Sequence, residues 1–225
     1  MTTERLNERL AEAARYALLR RVAPAIRHDI AGALQPISMM AAMLEKRIRK
    51  PDPDIVALGS NSAAINAMAR EAAATCMSLM TWLAPKDNNR VPIGEGLADA
   101  LGLVQTELSF RGFSVVNNTA GVQAELPRNV LRGAFLAALL ALTDESEGPA
   151  SVTLNASVDA VGATISIVVT SSEGETPMDS PPNYRQLEWD DAQAIARVEQ
   201  VEIVQAAMCV ELRCALLAAS LGTQA

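Results

Sequence analysis

Apolar residues recur three and four apart from Thr3 to Lys50, with charges between them, and this spacing predicts one long amphipathic helix. The pattern breaks at Pro51-Asp52-Pro53-Asp54, where Asp54 is placed to cap a following helix. A second helix is predicted from Asp54 to about Ala84, its stripe carried by Ile55, Leu58, Ile65, Met68, Ala72, Cys76, Leu79 and Leu83. So short a connection makes the two helices an antiparallel hairpin. A lone hairpin leaves an apolar stripe uncovered, and pairing two copies into a four-helix bundle covers it, so the first half is expected to form a homodimer.

The polar run Pro85-Lys86-Asp87-Asn88-Asn89-Arg90 ends this regime, and a domain boundary is predicted there, dividing the chain into 1–85 and 90–225. Beyond it, Ile93 to Phe110 reads as a helix, Phe113 to Asn117 as a strand, and Pro127 to Leu142 as a strongly apolar helix with proline in its first turn. Val152–Val158 and Thr164–Val169 alternate as two strands joined at Val161-Gly162. Ser171 to Asn183 is loop-like. Trp189–Val198 then reads as a helix, and Val201–Val204 and Cys209–Leu216 as a closing pair of strands. Helices over one face of a mostly antiparallel sheet, an α+β sandwich, is the expected fold of this half. No internal repeat is present.

Hydrophobic residues make up 50% of the 225 positions but aromatics only 3%, so the core must be built from Ala, Leu, Val, Ile and Met. The net charge of −7, without a run of Lys or Arg, disfavours nucleic-acid binding. Cys76, Cys209 and Cys214 form an odd set with no C-x-x-C spacing, as expected of a reduced, cytoplasmic compartment. The N-terminus carries charges where a secretory apolar core would lie, and the run Phe135–Leu142 is too short to span a bilayer, so neither leader nor membrane segment is expected. With one histidine and no cluster of metal-ligand spacing, no resident metal is expected either.

That histidine, His28, is the candidate catalytic group. At about 100° per residue, Ile26, Ile30, Ala33, Ile37, Leu44 and Ile48 fall within a sector of roughly 60°, and His28 lies about 200° from Ile26. It therefore faces away from the core stripe, beside Pro24, Ala31, Gly32, Gln35 and Met39. Gly32, Gln35 and Met39 make a low, partly apolar docking surface around it. A histidine side chain, which ordinarily titrates near 6.5, keeps a neutral nucleophilic nitrogen at neutral pH, and this suits phosphoryl transfer. Asp29 is adjacent, and its carboxylate can orient the ring by accepting from one nitrogen, although residues one apart do not share a helix face. Gly32 and Pro36 both weaken the helix, by about 1 and about 3 kcal/mol, and predict a bend below His28.

The run Arg27-His28-Asp29-Ile30-Ala31-Gly32-Ala33-Leu34-Gln35-Pro36-Ile37 resembles the phosphoacceptor box of sensor histidine kinases. The hairpin is similar to that family's dimerisation and phosphotransfer domain, and the second half to its Bergerat-type ATPase domain. The ATP features depart from the family's pattern. Ala141 stands where the resemblance places a Mg²⁺-binding asparagine, Thr170-Ser171-Ser172-Glu173-Gly174 replaces the Asp-x-Gly-x-Gly box, and Asp179-Ser180-Pro181-Pro182-Asn183 stands in the region of the Gly-rich lid. Gly32 lacks the side chain that in the family positions a water.

The resemblance and its departures together imply a histidine phosphotransferase of a phosphorelay. His28 would take phosphoryl from one receiver-domain aspartate and give it to another. No cofactor of its own is expected, Mg²⁺ being supplied by the receiver, and the expected partners are response-regulator receiver domains and a second copy, not membrane or nucleic acid. The alternative is a non-catalytic adaptor that binds a regulator or kinase without carrying phosphate. An active kinase would instead bind Mg-ATP.

Overall fold

A computed structural model describes residues 3–80, 89–173 and 184–216, with the side chains of residues 78 and 79 left aside. The chain divides into two compact units, one of residues 23–85 and one of residues 1–22 with 86–225. The first long helix, α1 (Thr3–Ile48), runs through the division and is helical through both Pro24 and Pro36.

In the unit of residues 23–85, α1 is followed by α2 (Ile55–Met80). Asp54 caps α2 as its position implies, its Oδ1 accepting from the Ala57 N–H at 3.0 Å. Ile26, Ile30, Ala33, Ile37 and Leu44 are half-buried, and Ala72 of α2 is buried. Two members of the expected stripes depart from this, Ile48 and Ile55, which are exposed. Both lie at the turn end of the hairpin, where one helix has no neighbour beyond the connection. The predicted end of α2 at residues 81–84, with Leu83, lies outside the described residues.

The other unit is built on a five-stranded sheet of order β2-β4-β5-β7-β6, formed by β2 (Phe113–Asn117), β4 (Ala150–Val158), β5 (Gly162–Ser171), β6 (Val201–Ala206) and β7 (Cys209–Ala215). Only β2 and β4 are parallel, so the sheet is mostly antiparallel as expected. Burial alternates along the central strands. Val152, Leu154, Ile165, Ile167, Val210 and Leu212 face the helices, while Ser151, Thr153, Thr164 and Ser166 are half-buried on the opposite face. The β4–β5 turn is held by Asp159, whose Oδ1 accepts from Val161 and Gly162 at 2.7 and 2.9 Å.

Two helices expected to be continuous are each broken. Ile93–Phe110 splits into α3 (Ile93–Gly102) and α4 (Gln105–Phe110), the glycine ending the first. In the second, Pro127 closes a short strand β3 (Glu125–Pro127) that pairs with β1 (Arg90–Pro92), after which come α5 (Arg128–Arg132) and α6 (Ala134–Asp144). The break is at Gly133, with φ −99° and ψ −84°, where an added β-carbon would collide with the Glu199 carboxylate and with the backbone oxygen of Asn129. From Ala134 to Thr143 every residue of α6 is buried, as its all-round apolar surface requires. Behind it, α7 (Trp189–Val198) presents Ala192, Ala194, Ile195 and Ala196 to the core.

The expected boundary at residues 85–90 needs a second cut, because the first 22 residues pack with the sheet unit and not with the hairpin. Ala11, Ala14, Leu18 and Val22 are buried there. Among them Arg21 brings its guanidinium, 0% exposed, between two carboxylates. Nη1 donates to Asp144 Oδ2 at 2.6 Å, Nη2 donates to Glu107 and to Asp144 Oδ1, and the Tyr184 ring lies 4.3 Å from Cζ. Arg111 Nη1 reaches Asp144 Oδ1 at 2.8 Å while its Nη2 donates to the Thr143 carbonyl at 2.6 Å. The Leu187 N–H also donates to Asp144, at 2.8 Å. Burial opposes the charge on Arg21, but its hydrogen bonds to Asp144 and Glu107 outweigh that and raise its pKa. Removing Arg21 leaves two carboxylates to share Arg111 alone, so Arg21→Met is expected to cost about 3–5 kcal/mol of unfolding free energy, read from the shift of a urea transition.

Candidate functional site

His28 stands on the outer side of α1, its side chain 88% exposed. Nδ1 is 3.7 Å from Asp29 Oδ1, longer than a hydrogen bond but within ion-pair range, so Asp29 approaches the ring despite its place one residue on. With Nδ1 turned to the carboxylate, Nε2 is left to meet a partner. Water and a large second molecule both have access to an imidazole this exposed.

Gly32, Gln35 and Met39, the remaining candidate residues, are all exposed on the same side of α1. One turn beyond His28 a groove of about 300 Å³ opens between the two helices. Gly32, Ala33 and Pro36 line it from α1, and Met68, Glu71, Ala72 and Thr75 from α2. Gln35 and Met39 are not part of its lining. The contribution of α2 was hidden in the sequence because Glu71 and Thr75 lie outside its apolar stripe, next to Ala72 and Cys76; only Met68 and Ala72 carried a periodic signal.

The hairpin also carries large apolar side chains that stand exposed. Leu34, Ile48, Ile55 and Met80 are exposed, with Leu34 at 48% and Ile55 at 71%. On a helical wheel, Leu34, Ala41 and Ile48 recur every seven residues at about 80°, 60° and 40° from Ile26, along and just beyond one edge of the core stripe of α1, and Ile55, Ala73 and Met80 lie on the corresponding side of α2. The groove opens on the opposite side. One side of the hairpin thus offers an apolar surface and the other a groove beside the histidine.

In the sheet unit, α6 ends in a cluster of ion pairs. Ala141 presents a fully buried methyl group, and the Asp144 carboxylate is taken up by Arg21, Arg111 and the Leu187 N–H. A cation there would have to displace two arginines. Among the described residues no group of three His, Cys, Asp or Glu side chains has the arrangement of a metal site, and no helix is long and apolar enough to cross a membrane. Asp179 to Asn183, which stand in the region of the Gly-rich lid, lie outside the described residues, as does Gly174 of the run from Thr170 to Gly174.

No family model and no curated protein matches the chain. Among solved structures it is similar to a histidine kinase from Burkholderia phymatum STM815, at 16% identity over 96% of this chain and 99% of that one, with a TM-score of 0.44. The Acinetobacter baumannii histidine kinase AdeS is similar at 13% identity over 83% and 98% of the two chains, with a TM-score of 0.42. Histidine kinase ThkA, in its complex with the response regulator TrrA, is similar at 11% identity over 95% of this chain and 66% of that one, with a TM-score of 0.43. These likenesses are distant, and the site is read from its own residues.

An added β-carbon at Gly32 meets nothing within 4 Å. Gly32→Ala is therefore expected to stabilise the hairpin by about 1 kcal/mol through helix propensity alone, seen as a higher midpoint of thermal unfolding.

Proposed function

We propose that this protein is a histidine phosphotransferase that passes phosphoryl groups between receiver-domain aspartates through His28, using no nucleotide of its own. The observation that carries this reading is the position of its one histidine, exposed on the outer face of a helical hairpin with Asp29 at Nδ1 and a groove one turn away.

A phosphoryl group held as a mixed anhydride on a receiver aspartate is an electrophile matched to such a nitrogen. The Nε2 lone pair attacks phosphorus, the bond from phosphorus to the aspartate oxygen breaks, and the electron pair of that bond returns to the carboxylate. The ring, now bonded through nitrogen to phosphorus, carries a positive charge that the Asp29 carboxylate offsets from the Nδ1 side. Transfer to a second receiver runs the same step backwards. Such transfer depends on in-line placement and on charge stabilisation by the incoming receiver with its Mg²⁺, so this chain need supply only the nucleophile and a surface that orients the partner. Gly32, Gln35 and Met39 form that surface, and the groove between α1 and α2 is the recess into which an apolar feature of the receiver fits.

The buried methyl group of Ala141 and the ion pairs that occupy Asp144 support a sheet unit that has lost nucleotide chemistry and serves as structure or docking module. The exposed side of the hairpin carrying Leu34, Ile48, Ile55 and Met80 supports a homodimer, in which a second hairpin covers these residues and completes a four-helix bundle.

Incubation with phosphorylated receiver domains in the absence of ATP is expected to place an acid-labile phosphoryl group on His28, located by intact mass and peptide mapping. His28→Ala should abolish it. Binding of receivers without any labelling, across a complete panel, replaces this reading with that of a non-catalytic adaptor. By light scattering at micromolar concentration the protein should have twice the chain's 23.8 kDa, and Leu34→Glu combined with Ile48→Glu should reduce it to a monomer.

A further inference from the structure

Six of the nine methionines stand on the two helices of the hairpin, Met39, Met40 and Met43 on α1 and Met68, Met77 and Met80 on α2. Leucine forms helix as readily as methionine and is what fills α6, so helix formation does not account for the choice. On the wheel, Met40, Met43 and Met39 lie about 40°, 100° and 140° from Ile26, on the side of Pro36 and Gly32 and away from Leu34. Met68 lies about 40° from Ala72, on the side of Thr75 and Glu71. Four methionines thus share the side of the hairpin on which the groove opens, and Met68 lines that groove. Met39 and Met43 are exposed, while Met40 and Met68 are half-buried.

This side is also without charge over a long stretch, since residues 30–44 and 55–69 contain no Asp, Glu, Lys or Arg. At its His28 end the patch is bounded by two carboxylates, those of Asp29 and of Glu71, which is exposed at the mouth of the groove. An uncharged, methionine-bearing surface with acidic residues at one end is complementary to an apolar element that carries a cation at the matching end.

We infer that this methionine face is an adaptable seat on which two different receiver domains dock in turn, each laying an apolar element along Met39, Met40, Met43 and Met68 and pointing a cationic side chain at Glu71. The inference deepens the phosphotransfer reading and rests on it. The chain has one histidine, so donor and acceptor use the same nucleophile and must dock at the same place, one after the other. A stiff surface shaped to one of them would discriminate against the other. Methionine is unbranched and has three rotatable bonds and a polarisable sulfur, so its side chain repacks against differing contours where leucine or isoleucine would hold one shape. A receiver and not a second copy is the occupant, because the residues that a second hairpin covers, Leu34, Ile48, Ile55 and Met80, lie on the other side.

Replacing Met39, Met40, Met43 and Met68 together by Leu keeps the apolar character, the approximate volume and the helix propensity, and removes the adaptability. Phosphoryl transfer to His28 of the full chain is measured from each phosphorylated receiver of a panel, and each rate is divided by the labelling rate with phosphoramidate, a phosphoryl donor too small to need a docking surface. For the two receivers that label the wild-type protein fastest, the leucine variant should lose about tenfold more with one than with the other. Glu71→Lys should slow both by about tenfold. Rates that are unchanged in the leucine variant, or lowered equally with both receivers, overturn the adaptable seat and leave phosphotransfer standing. Transfer by Glu71→Lys at the wild-type rate overturns the cationic contact. A wild-type protein that phosphoramidate labels and no receiver labels overturns the phosphotransfer reading, and this one with it. Should the fourfold variant not fold, Met39→Leu with Met43→Leu, both at exposed positions, is read in the same way.

Discussion

The buried guanidinium of Arg21 is the constraint on which the arrangement of this protein rests. A charge withdrawn from water must be matched where it lies, and Arg21 is matched by Glu107 on α4 and Asp144 at the end of α6, residues that come together only when the sheet unit is folded. Arg111 brings a second positive charge to the same carboxylates and also bonds the Thr143 carbonyl at the C-terminal end of α6. Two cations and two anions thus share one site. The price of this closure is that α1 cannot belong wholly to the hairpin: its first 22 residues are committed to the other unit.

A consequence follows for the helix that carries the candidate nucleophile. Along α1 the anchoring residue Arg21 and His28 are seven positions apart, about 10 Å of helix, with Pro24 between them removing one backbone donor. The same helix therefore presents an embedded, ion-paired end and an exposed face that bears His28. The sheet unit is joined to the hairpin by chain at two places, after Val22 and again after residue 85, where the polar run at residues 85–90 by itself predicts a single connection.

Much of the fold was legible in the pattern of residues. The hairpin, the capping by Asp54 and the strands of the five-stranded sheet all follow from local periodicity, which depends on each residue's neighbours along one element. The outward direction of His28 was legible for the same reason, since 100° per residue fixes which way a side chain points once the helix is granted. Less was legible where a distant group decides local structure. The long apolar run from Pro127 to Leu142 reads as one helix because its propensity is uniform; it is divided at Gly133 because the Glu199 carboxylate, 66 positions later, occupies the space a side chain would need. The groove beside His28 was half legible, as α2 contributes Glu71 and Thr75 from outside its stripe.

By itself, then, the sequence determined that two amphipathic helices form a hairpin, that a mostly antiparallel sheet follows, and that one histidine faces outward, because these are consequences of spacing along continuous elements. Tertiary structure alone decided which unit owns the first turns of α1. A helix with buried positions at Ala11, Ala14, Leu18 and Val22 is compatible with packing on the hairpin or on the sheet unit. The choice is made by Arg21 and Arg15, whose counter-charges lie between 86 and 184 residues away in the chain, and no local pattern records a pairing over that distance.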